Sequence, residues 1–370
     1  MKIVYFTHSL LSCWNHGNAH FLRGVLRELQ ARGHNVLACE QQGNWSLANL
    51  LADHGQAGLA PFREHYPELS PASYATIPEA LALAEGADLV IAHEWNPPEL
   101  IAALGERRKA ASDHLLLFHD THHRAVSAPE EMQAFDLEAY DGVLAFGAAL
   151  ARIYRDRGWG ARAFVWHEAA DLRHFQPPGQ EGEREGLIWI GNWGDGERSE
   201  ELERFLLEPA EAAGLPLDIY GVRYPEPALA MLRRHGARYH GWAANARTPD
   251  LFARHLATVH VPRRYYTQLL PGIPTIRVFE ALACGIPLVS APWDDEEGLF
   301  RPGIDYLVAA DGAQMTRHLR MLAHEPGARA ELVRHGLEAV RSRHGCGHRA
   351  EELLAIARTL SPRLAERSAA

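Results

Sequence analysis

The chain has 370 residues, 47% of them hydrophobic, and a formal net charge of −10 at pH 7. That length exceeds what one ordinary hydrophobic core organises, so we expect two domains. Residues 1–170 hold 13 Lys and Arg against 20 Asp and Glu, a net charge of −7. This excess of acid argues against a broad surface for duplex nucleic acid, although a local basic groove stays compatible with it.

Cysteine usage and hydropathy indicate the compartment. Four widely spaced cysteines, with no CxxC pair, predict reduced thiols of a cytoplasmic protein; they are Cys13, Cys39, Cys284 and Cys346. The opening MKIVYFTHSLLSCWNHG has one basic residue and a broken apolar run, which predicts a first strand and not a signal peptide. No run approaches the roughly 20 apolar residues of a spanning helix, so we expect no transmembrane segment.

Short apolar runs alternate with helical patterns along the first half of the chain. The stretch AHFLRGVLRELQARG places apolar residues at helical spacing and ends at Gly33. The predicted strands are KIVYFTH, HNVLACE, ADLVIAH, HLLLFHD, DGVLAFG and ARAFVWHE. Buried strands separated by helices predict a parallel sheet that is covered on both faces.

A segment rich in Pro, Gly and charge, HFQPPGQEGEREG at 174–186, predicts a domain boundary. Strand and helix patterns then resume, with strands at LIWIGNW, LDIYG, ARYHG, ATVHVP and IPLVSAP. The predicted fold class is α/β, with two doubly wound domains at 1–172 and 186–345 that face each other across a cleft. A C-terminal helix follows at 346–370, and whether it crosses back to the first domain is left open.

The loop after the first strand is the first candidate ligand contact, because ligands of such sheets bind beyond the carboxyl ends of the strands. Gly17 and Asn18 precede a helix, so their backbone N–H groups are candidates for an acceptor-side loop. An ordinary loop glycine is the equal alternative. No GxGxxG motif is present, and at the end of the second strand only Glu40 could bind the ribose of a dinucleotide. Both observations argue against an NAD enzyme.

Three histidines, His119, His122 and His123, accompany the end of the strand HLLLFHD. Three converging histidines could bind zinc, but 22 histidines in the chain make chance clustering easy. The interpretations are a ligand-contacting role for His119, solvated loop histidines, and, last, a metal site; we predict no metal.

An ionic pair interrupts the apolar stretch GIPTIRVFEALACGIPLVSAP at 272–292. Arg277 and Glu280 are three residues apart, hence on one face of a predicted helix that begins at Thr275 and Ile276. A helix start suits an anionic diphosphate, and a carboxylate one turn further in can accept both hydroxyls of a ribose. A structural ion pair is the alternative.

The motifs RVFEALACGIPLVSAP and WDDEEGLFRPGIDYLV strongly resemble the donor-binding segment of glycosyl transferases group 1, the retaining GT-B glycosyltransferases, and in particular the CgeB-like branch. HGNAHFLRGVLRELQARGHNV resembles the first loop and helix of that family, and VWHEAADLRHFQP its interdomain segment. The resemblance covers most of the chain. It implies the GT-B fold, two Rossmann-like domains, and transfer of a sugar from a UDP-, GDP- or dTDP-sugar with no other cofactor.

The resemblance also implies roles for single residues. Glu280 matches the second glutamate of an E-x7-E pattern, which holds the donor ribose, whereas the first glutamate would fall at Gly272 and is missing. Arg198 is implied as the cation on the diphosphate in the loop 191–198, which begins with Gly191 and Asn192; Arg263 and Arg277 compete for that role. His119 matches a histidine that touches the donor sugar.

The implied chemistry is cleavage of an anomeric C–O bond with retention of configuration, the charge on the leaving diphosphate being stabilised by arginines and helix N–H groups. No DxD motif stands near the donor loops. The acceptor is unknown: a glycan, a small molecule, a protein or a modified nucleic acid. Alternatives are a sugar-nucleotide epimerase, a non-catalytic sugar-nucleotide-binding protein, and an enzyme that glycosylates a hydroxymethylated DNA base.

Overall fold

The computed structural model describes residues 1–111, 113–160, 162–179, 182–194, 196–361 and 364. Parts of four predicted segments lie outside the described residues. They are Ala161 of the expected strand ARAFVWHE, residues 180 and 181 of the expected boundary, Asp195 of the expected phosphate loop, and residues 362, 363 and 365–370 of the expected C-terminal helix.

The described chain forms two compact units. Unit 1 comprises Met1–Cys13, Asn18–Glu168 and the residues from Cys346 on, and unit 2 comprises Trp14–Gly17 and Ala169–Gly345. Gly17 thus groups with unit 2, although its neighbour Asn18 groups with unit 1. The domain limits expected from the sequence stay predictions.

Unit 1 is built on a parallel sheet of seven strands in the order β3-β2-β1-β4-β5-β6-β7. The strands are β1 Lys2–Phe6, β2 Asn35–Gln41, β3 Ala72–Tyr74, β4 Leu89–His93, β5 Leu115–Asp120, β6 Gly142–Ala145 and β7 Ala163–Val165. The helices are α1 Ala19–Ala31, α2 Trp45–His54, α3 Ala60–His65, α4 Ile77–Leu83, α5 Pro98–Ala110, α6 Arg124–Ser127, α7 Pro129–Met132, α8 Ala148–Arg157 and, from the end of the chain, α17 Cys346–Leu360.

Unit 2 is built on a parallel sheet of six strands in the order β10-β9-β8-β11-β12-β13. The strands are β8 Leu187–Ile190, β9 Leu217–Tyr220, β10 Arg238–Tyr239, β11 Ala257–His260, β12 Leu288–Ser290 and β13 Leu307–Val308. The helices are α9 Ser199–Leu202, α10 Glu208–Ala213, α11 Glu226–Arg234, α12 Thr248–Phe252, α13 Arg264–Gln268, α14 Ile276–Ala283, α15 Gly312–His324 and α16 Pro326–Arg343.

The most apolar strands of both sheets are buried on both faces, as the sequence predicts. Every residue of β4, β5, β8 and β11 is buried, because helices cover both sides of a parallel sheet. Two strands were not predicted, β3 and β13. They have three and two residues, and their partly exposed sequences carry no long apolar run.

In each sheet, successive strands are added toward one edge and then, after a single reversal, toward the other edge. The candidate sites lie at this reversal. In unit 1 the reversal lies between β1 and β4, and in unit 2 between β8 and β11. At such a point the loops after the two strands run apart and leave a crevice at the carboxyl edge. None of the helices in the described residues combines the length and apolar content that crossing a bilayer requires.

Candidate functional site

The start of α14 faces a histidine of the neighbouring strand. Thr275 is its N-terminal flanking residue, and the Thr275 hydroxyl lies 3.4 Å from Nε2 of His260, the last residue of β11. Within the described residues, no side chain caps this helix start. The backbone N–H groups of the first turn, beginning at Ile276, therefore stay suited to an anion.

His260 is fully buried, with Nδ1 3.0 Å from the Ser290 hydroxyl. Burial, reinforced by the positive charge of Arg198, lowers the pKa of His260 to about 3. The imidazole is therefore neutral at pH 7 and contributes hydrogen bonds without charge. Sequence analysis missed this residue, and its only signal was a histidine at the end of the apolar run ATVHVP.

Arg277 and Glu280 do meet on one face of α14, where they form an ion pair. The Glu280 side chain is 0% exposed and the Arg277 side chain 27% exposed. Arg277 donates to Oε2, and the amide of Asn245 donates to Oε1 over 2.9 Å. The ion pair that the structural alternative predicts is thus present. Asn245, which lies outside α14, also orients the carboxylate of Glu280.

Gly272 stands where the resemblance calls for a glutamate. Its φ of +84° is in the left-handed region, and its N–H donates to the Asp294 carbonyl over 2.8 Å. A Cβ at this position would lie 3.3 Å from the Cβ of Glu296. A glutamate side chain would therefore bring strain and crowding, which explains physically why this backbone carries glycine.

Arg198 is buried, although it lies in a loop rich in glycine and charged residues. Its Nη1 donates to the Val261 carbonyl and its Nη2 to the Asn192 carbonyl, both over 2.7 Å. Burial lowers its pKa to about 10, so the guanidinium keeps its charge at pH 7. Arg198 therefore connects the loops after β8 and β11 by hydrogen bonds and places a positive charge between them.

Arg263 is the last residue of the loop after β11, directly before α13, and forms an ion pair with Glu197. Both side chains are largely buried. The pair neutralises much of the charge that Arg263 could offer to a diphosphate. Arg277 is likewise paired, with Glu280, whereas Arg198 binds only main-chain carbonyls in the described contacts.

Gly191 and Asn192 form the turn directly after β8. The Gly191 carbonyl accepts a hydrogen bond of 2.9 Å from the Tyr224 hydroxyl. The Asn192 side chain accepts from the Val222 N–H over 2.9 Å and donates to the Asn15 side chain over 2.5 Å. Asn192 thus connects the loops after β8 and β9 and the segment Trp14–Gly17.

The segment Trp14–Gly17 packs against the start of α14. A Cβ added to Gly17 would lie 2.7 Å from Cγ2 of Ile276 and 3.6 Å from Nη2 of Arg277. Glycine at position 17 is thus required by a close approach to the predicted anion-binding turn. This contact places Gly17 beside the expected donor residues, and its role in an acceptor-side loop stays a prediction.

Asn18 belongs to a polar cluster at the carboxyl edge of unit 1. Its amide nitrogen donates to the Thr121 hydroxyl and lies 3.2 Å from Nε2 of His93. The same His93 nitrogen is 3.1 Å from the Thr121 hydroxyl. His93, at the end of β4, was not singled out in the sequence because ADLVIAH reads as an ordinary buried strand.

His119 lies inside β5, one residue before its end, and its side chain is 0% exposed. Its Nδ1 is hydrogen-bonded to the Tyr5 hydroxyl, and its ring lies 4.8 Å from Trp166 and 5.2 Å from His93. Burial lowers its pKa to about 3, so it is neutral at pH 7. Its Nε2 has no partner among the described residues, and its contact with a sugar stays a prediction.

The three histidines of this region do not converge on one point. His119 bonds to Tyr5, whereas Nδ1 of His123 lies 2.8 Å from the Ser127 hydroxyl and the His122 ring stacks beside His123 at 4.0 Å. Among the described residues, no group of three or more His, Cys, Asp or Glu side chains is arranged to hold a metal ion.

A family model matches less than half of the chain, and the roles of the site residues stay predictions. Residues 198–355 match the model of a glycosyl transferase-like family, a segment that contains Arg198, Arg263, Arg277 and Glu280. No curated protein matches the sequence. The CgeB-like branch stays a prediction.

Solved structures match over nearly the whole chain. HepE from Anabaena, solved with UDP and glucose, is 13% identical, with a TM-score of 0.68, over 97% of this chain and 100% of that one. Sucrose-phosphate synthase from Thermosynechococcus elongatus is 14% identical, with a TM-score of 0.67, over 97% and 99%. The β-glucosyltransferase of T4 phage, solved with UDP-glucose, is 12% identical, with a TM-score of 0.59, over 97% and 99%. These likenesses confirm the predicted GT-B fold.

Proposed function

We propose that the protein is a glycosyltransferase that moves a sugar from a nucleotide-diphosphate donor to an acceptor hydroxyl. The observation that carries the proposal is the α14 start, with an uncapped first turn and, one turn further in, the buried carboxylate of Glu280 held by Arg277 and Asn245. Among the solved structures of the same fold, HepE and the T4 phage enzyme have been crystallised with UDP or UDP-glucose. A UDP-sugar is therefore the first donor to test.

In the proposed complex the diphosphate lies at the first turn of α14, next to Gly17. The helix dipole and the charges of Arg277 and Arg198 stabilise the negative charge that develops on the leaving group. Thr275 and neutral His260 add hydrogen-bonding groups at the same end of the helix. No cofactor beyond the donor is needed for this chemistry.

Glu280 is proposed to accept hydroxyls of the donor ribose. An ionised carboxylate has about four acceptor sites and can accept both hydroxyls of a ribose. Asn245 and Arg277 each donate to one of its oxygens and fix the orientation of the group. Because the first family glutamate is replaced by Gly272, the donor sugar must be recognised by other groups, for which His119 is the candidate.

Retention of anomeric configuration is part of the proposal. The donor opens through an oxocarbenium-like transition state, the acceptor oxygen bonds to the anomeric carbon on the face from which the diphosphate leaves, and the leaving phosphate takes the acceptor proton. Burial lowers the pKa of His119 to about 3, so its neutral imidazole is too weak a base to take the acceptor proton efficiently near pH 7. Proton transfer to the phosphate agrees with that limit.

The test is proton NMR of the purified protein with UDP-glucose and a panel of acceptors. Release of UDP together with a new glycoside whose anomeric coupling matches the donor would support a retaining glycosyltransferase. A changed sugar in the nucleotide without acceptor would indicate an epimerase. UDP binding without any turnover over the whole panel would indicate a binding protein and contradict the proposal.

A further inference from the structure

The carboxyl edge of unit 1 presents a large aromatic side chain. Trp95 follows β4 by two residues and is 41% exposed, whereas most aromatic rings of this unit are buried. Its position is the reversal point of the sheet, where the loops after β1 and β4 diverge. An exposed tryptophan at the place where such sheets bind ligands indicates a contact surface.

Neighbouring side chains hold the Trp95 ring in place. The guanidinium of Arg124 lies 4.5 Å from the ring centroid, and the rings of His122 and His8 lie at 5.0 Å and 5.5 Å. Aromatic and cationic contacts of this kind fix the orientation of a ring. A ligand that stacks on the exposed part therefore meets a preorganised surface and loses little side-chain entropy on binding.

The charge of this edge is unsuited to a polyanion. Among the described residues of unit 1, Arg124 is the only Lys or Arg in the loops that follow the strands and at the first helical residue after each loop. It is ion-paired with Glu94, whose side chain is 0% exposed. Burial, together with the charge of Arg124, lowers the pKa of His8 to about 4, so His8 is neutral at pH 7. Phosphate groups would find no unpaired cation in these described loops.

Hydrogen-bond acceptors are present at the same edge. Oε1 of Glu94 has no partner among the described residues, although a buried carboxylate oxygen is costly to leave unpaired. The same holds for Oδ1 of Asn18. Groups of this kind are satisfied by hydroxyl donors, from water or from a ligand rich in hydroxyls.

We propose that this edge is the acceptor site and that the acceptor is a neutral saccharide, with one sugar ring stacked on Trp95. The apolar C–H face of a sugar matches the ring, its hydroxyls match the carboxylate and amide acceptors, and its lack of charge matches the paired Arg124. The proposal rests on the proposed function, and it selects a glycan over a modified nucleic acid as the acceptor.

The test titrates neutral oligosaccharides, namely maltoheptaose, cellohexaose and chitohexaose, into the wild type and the variants Trp95→Ala and Trp95→Phe, with binding read by calorimetry. Trp159→Ala is the matched control, because Trp159 also packs on an arginine, Arg157 at 4.9 Å, but lies at the opposite, amino-terminal edge of the sheet. We expect at least one saccharide to bind. Trp95→Ala should weaken it at least about tenfold, as for an aromatic anchor, whereas Trp95→Phe should retain part of the affinity and the control all of it.

UDP binding, measured in parallel, separates this inference from the proposed function. We expect UDP to raise the melting temperature of the wild type and of Trp95→Ala equally, because Trp95 is in unit 1 and α14 in unit 2. If UDP does not raise the melting temperature, the proposed donor is contradicted. The saccharide titration still tests the acceptor site independently. The inference is overturned if no saccharide binds, if Trp95→Ala binds as well as the wild type, or if a DNA duplex binds in a Trp95-dependent manner.

Discussion

Two hydrogen bonds to Glu280 come from different parts of unit 2. Arg277 is on the same helix, and Asn245 belongs to the short turn before α12. The spacing of Arg277 and Glu280 in the sequence was sufficient to predict that they share a face. Asn245 could not be predicted, because a contact between residues 35 positions apart depends on the packing of β11 and α14 and not on any local pattern.

The first prediction concerns Glu280→Gln. The amide keeps the size and one acceptor oxygen but loses the charge, so charge-assisted bonds to a ribose weaken. We expect UDP affinity to fall by about tenfold or more, and discrimination against 2′-deoxy-UDP to shrink. Calorimetric titration of both nucleotides measures this.

Glu352→Gln is the control for that variant, because Glu352 pairs with Arg349 at the same spacing on α17 in unit 1. It should leave UDP affinity unchanged. If Glu280→Gln binds UDP normally but melts several degrees earlier, Glu280 is a structural partner of Arg277, as expected when a buried pair is broken.

The second prediction concerns His119→Ala. If His119 contacts the donor sugar, kcat should fall far more than UDP affinity, because the contact is to the transferred group and not to the nucleotide. His114→Ala is the control, since His114 is also buried and lies just before the other end of β5. If kcat falls equally in the two variants, the role of His119 is only to pack against Tyr5 and Trp166.

The third prediction uses the neutral state of His260. Its folded pKa, about 3, lies below the usual value of 6.5. Stability from this group is therefore present above pH 6.5 and is lost as the pH falls toward 3. Between pH 7 and pH 5 the loss should be about 2 kcal/mol.

His260→Asn should reduce that acid sensitivity, because asparagine does not titrate and can bond to Ser290. The measurement is urea unfolding at the two pH values, followed in wild type and variant. An unchanged difference between the two pH values would mean that His260 becomes protonated in the folded protein despite its burial beside Arg198.

The loops after β8 and β9 approach so closely that their backbones nearly touch. A Cβ at Gly221 would lie 2.0 Å from the Gly191 carbonyl oxygen. Because the obstacle is backbone, no side-chain rotation can relieve it. The position of the Gly191–Asn192 turn therefore depends on a glycine in the next loop.

The fourth prediction follows: Gly221→Ala should lower the melting temperature by several degrees and abolish the UDP-induced shift, since the turn beside Arg198 is displaced. Gly179→Ala is the control, because nothing lies within 4 Å of a Cβ at that glycine. Normal UDP binding by Gly221→Ala would remove the turn after β8 from the proposed diphosphate site.

Strands and helices were predicted correctly where a single hydrophobic pattern runs through the whole segment. The apolar strands and the helix Ile276–Ala283 followed from their hydrophobic periodicity. The segment EELERFLLEPAEAAG, in contrast, is not one regular helix but consists of α9, a π-helical turn at Glu203–Leu207, and α10. Pro209 lies in the first turn of α10 and has no N–H to donate, which favours such an interruption.

At the scale of the whole molecule, both sheets place their distinctive side chains at a reversal point. Unit 1 presents Trp95 and the Asn18 cluster there, and unit 2 presents Arg198 and the α14 start. The alternation of strands and helices was enough to predict two such sheets. It could not predict which side chains occupy the two edges, because the order of the strands in a sheet depends on packing between residues that are far apart in the sequence.

The measurement that tests the central claim most directly is a thermal-shift titration of the wild type with UDP-, GDP- and dTDP-sugars. A donor that binds only the folded state stabilises it by about 2.7 kcal/mol at a concentration one hundred times Kd. We predict a saturable rise of several degrees with at least one of these donors, lost in Glu280→Ala and kept in Glu352→Gln. No shift with any donor, or the same shift in Glu280→Ala, would contradict the account.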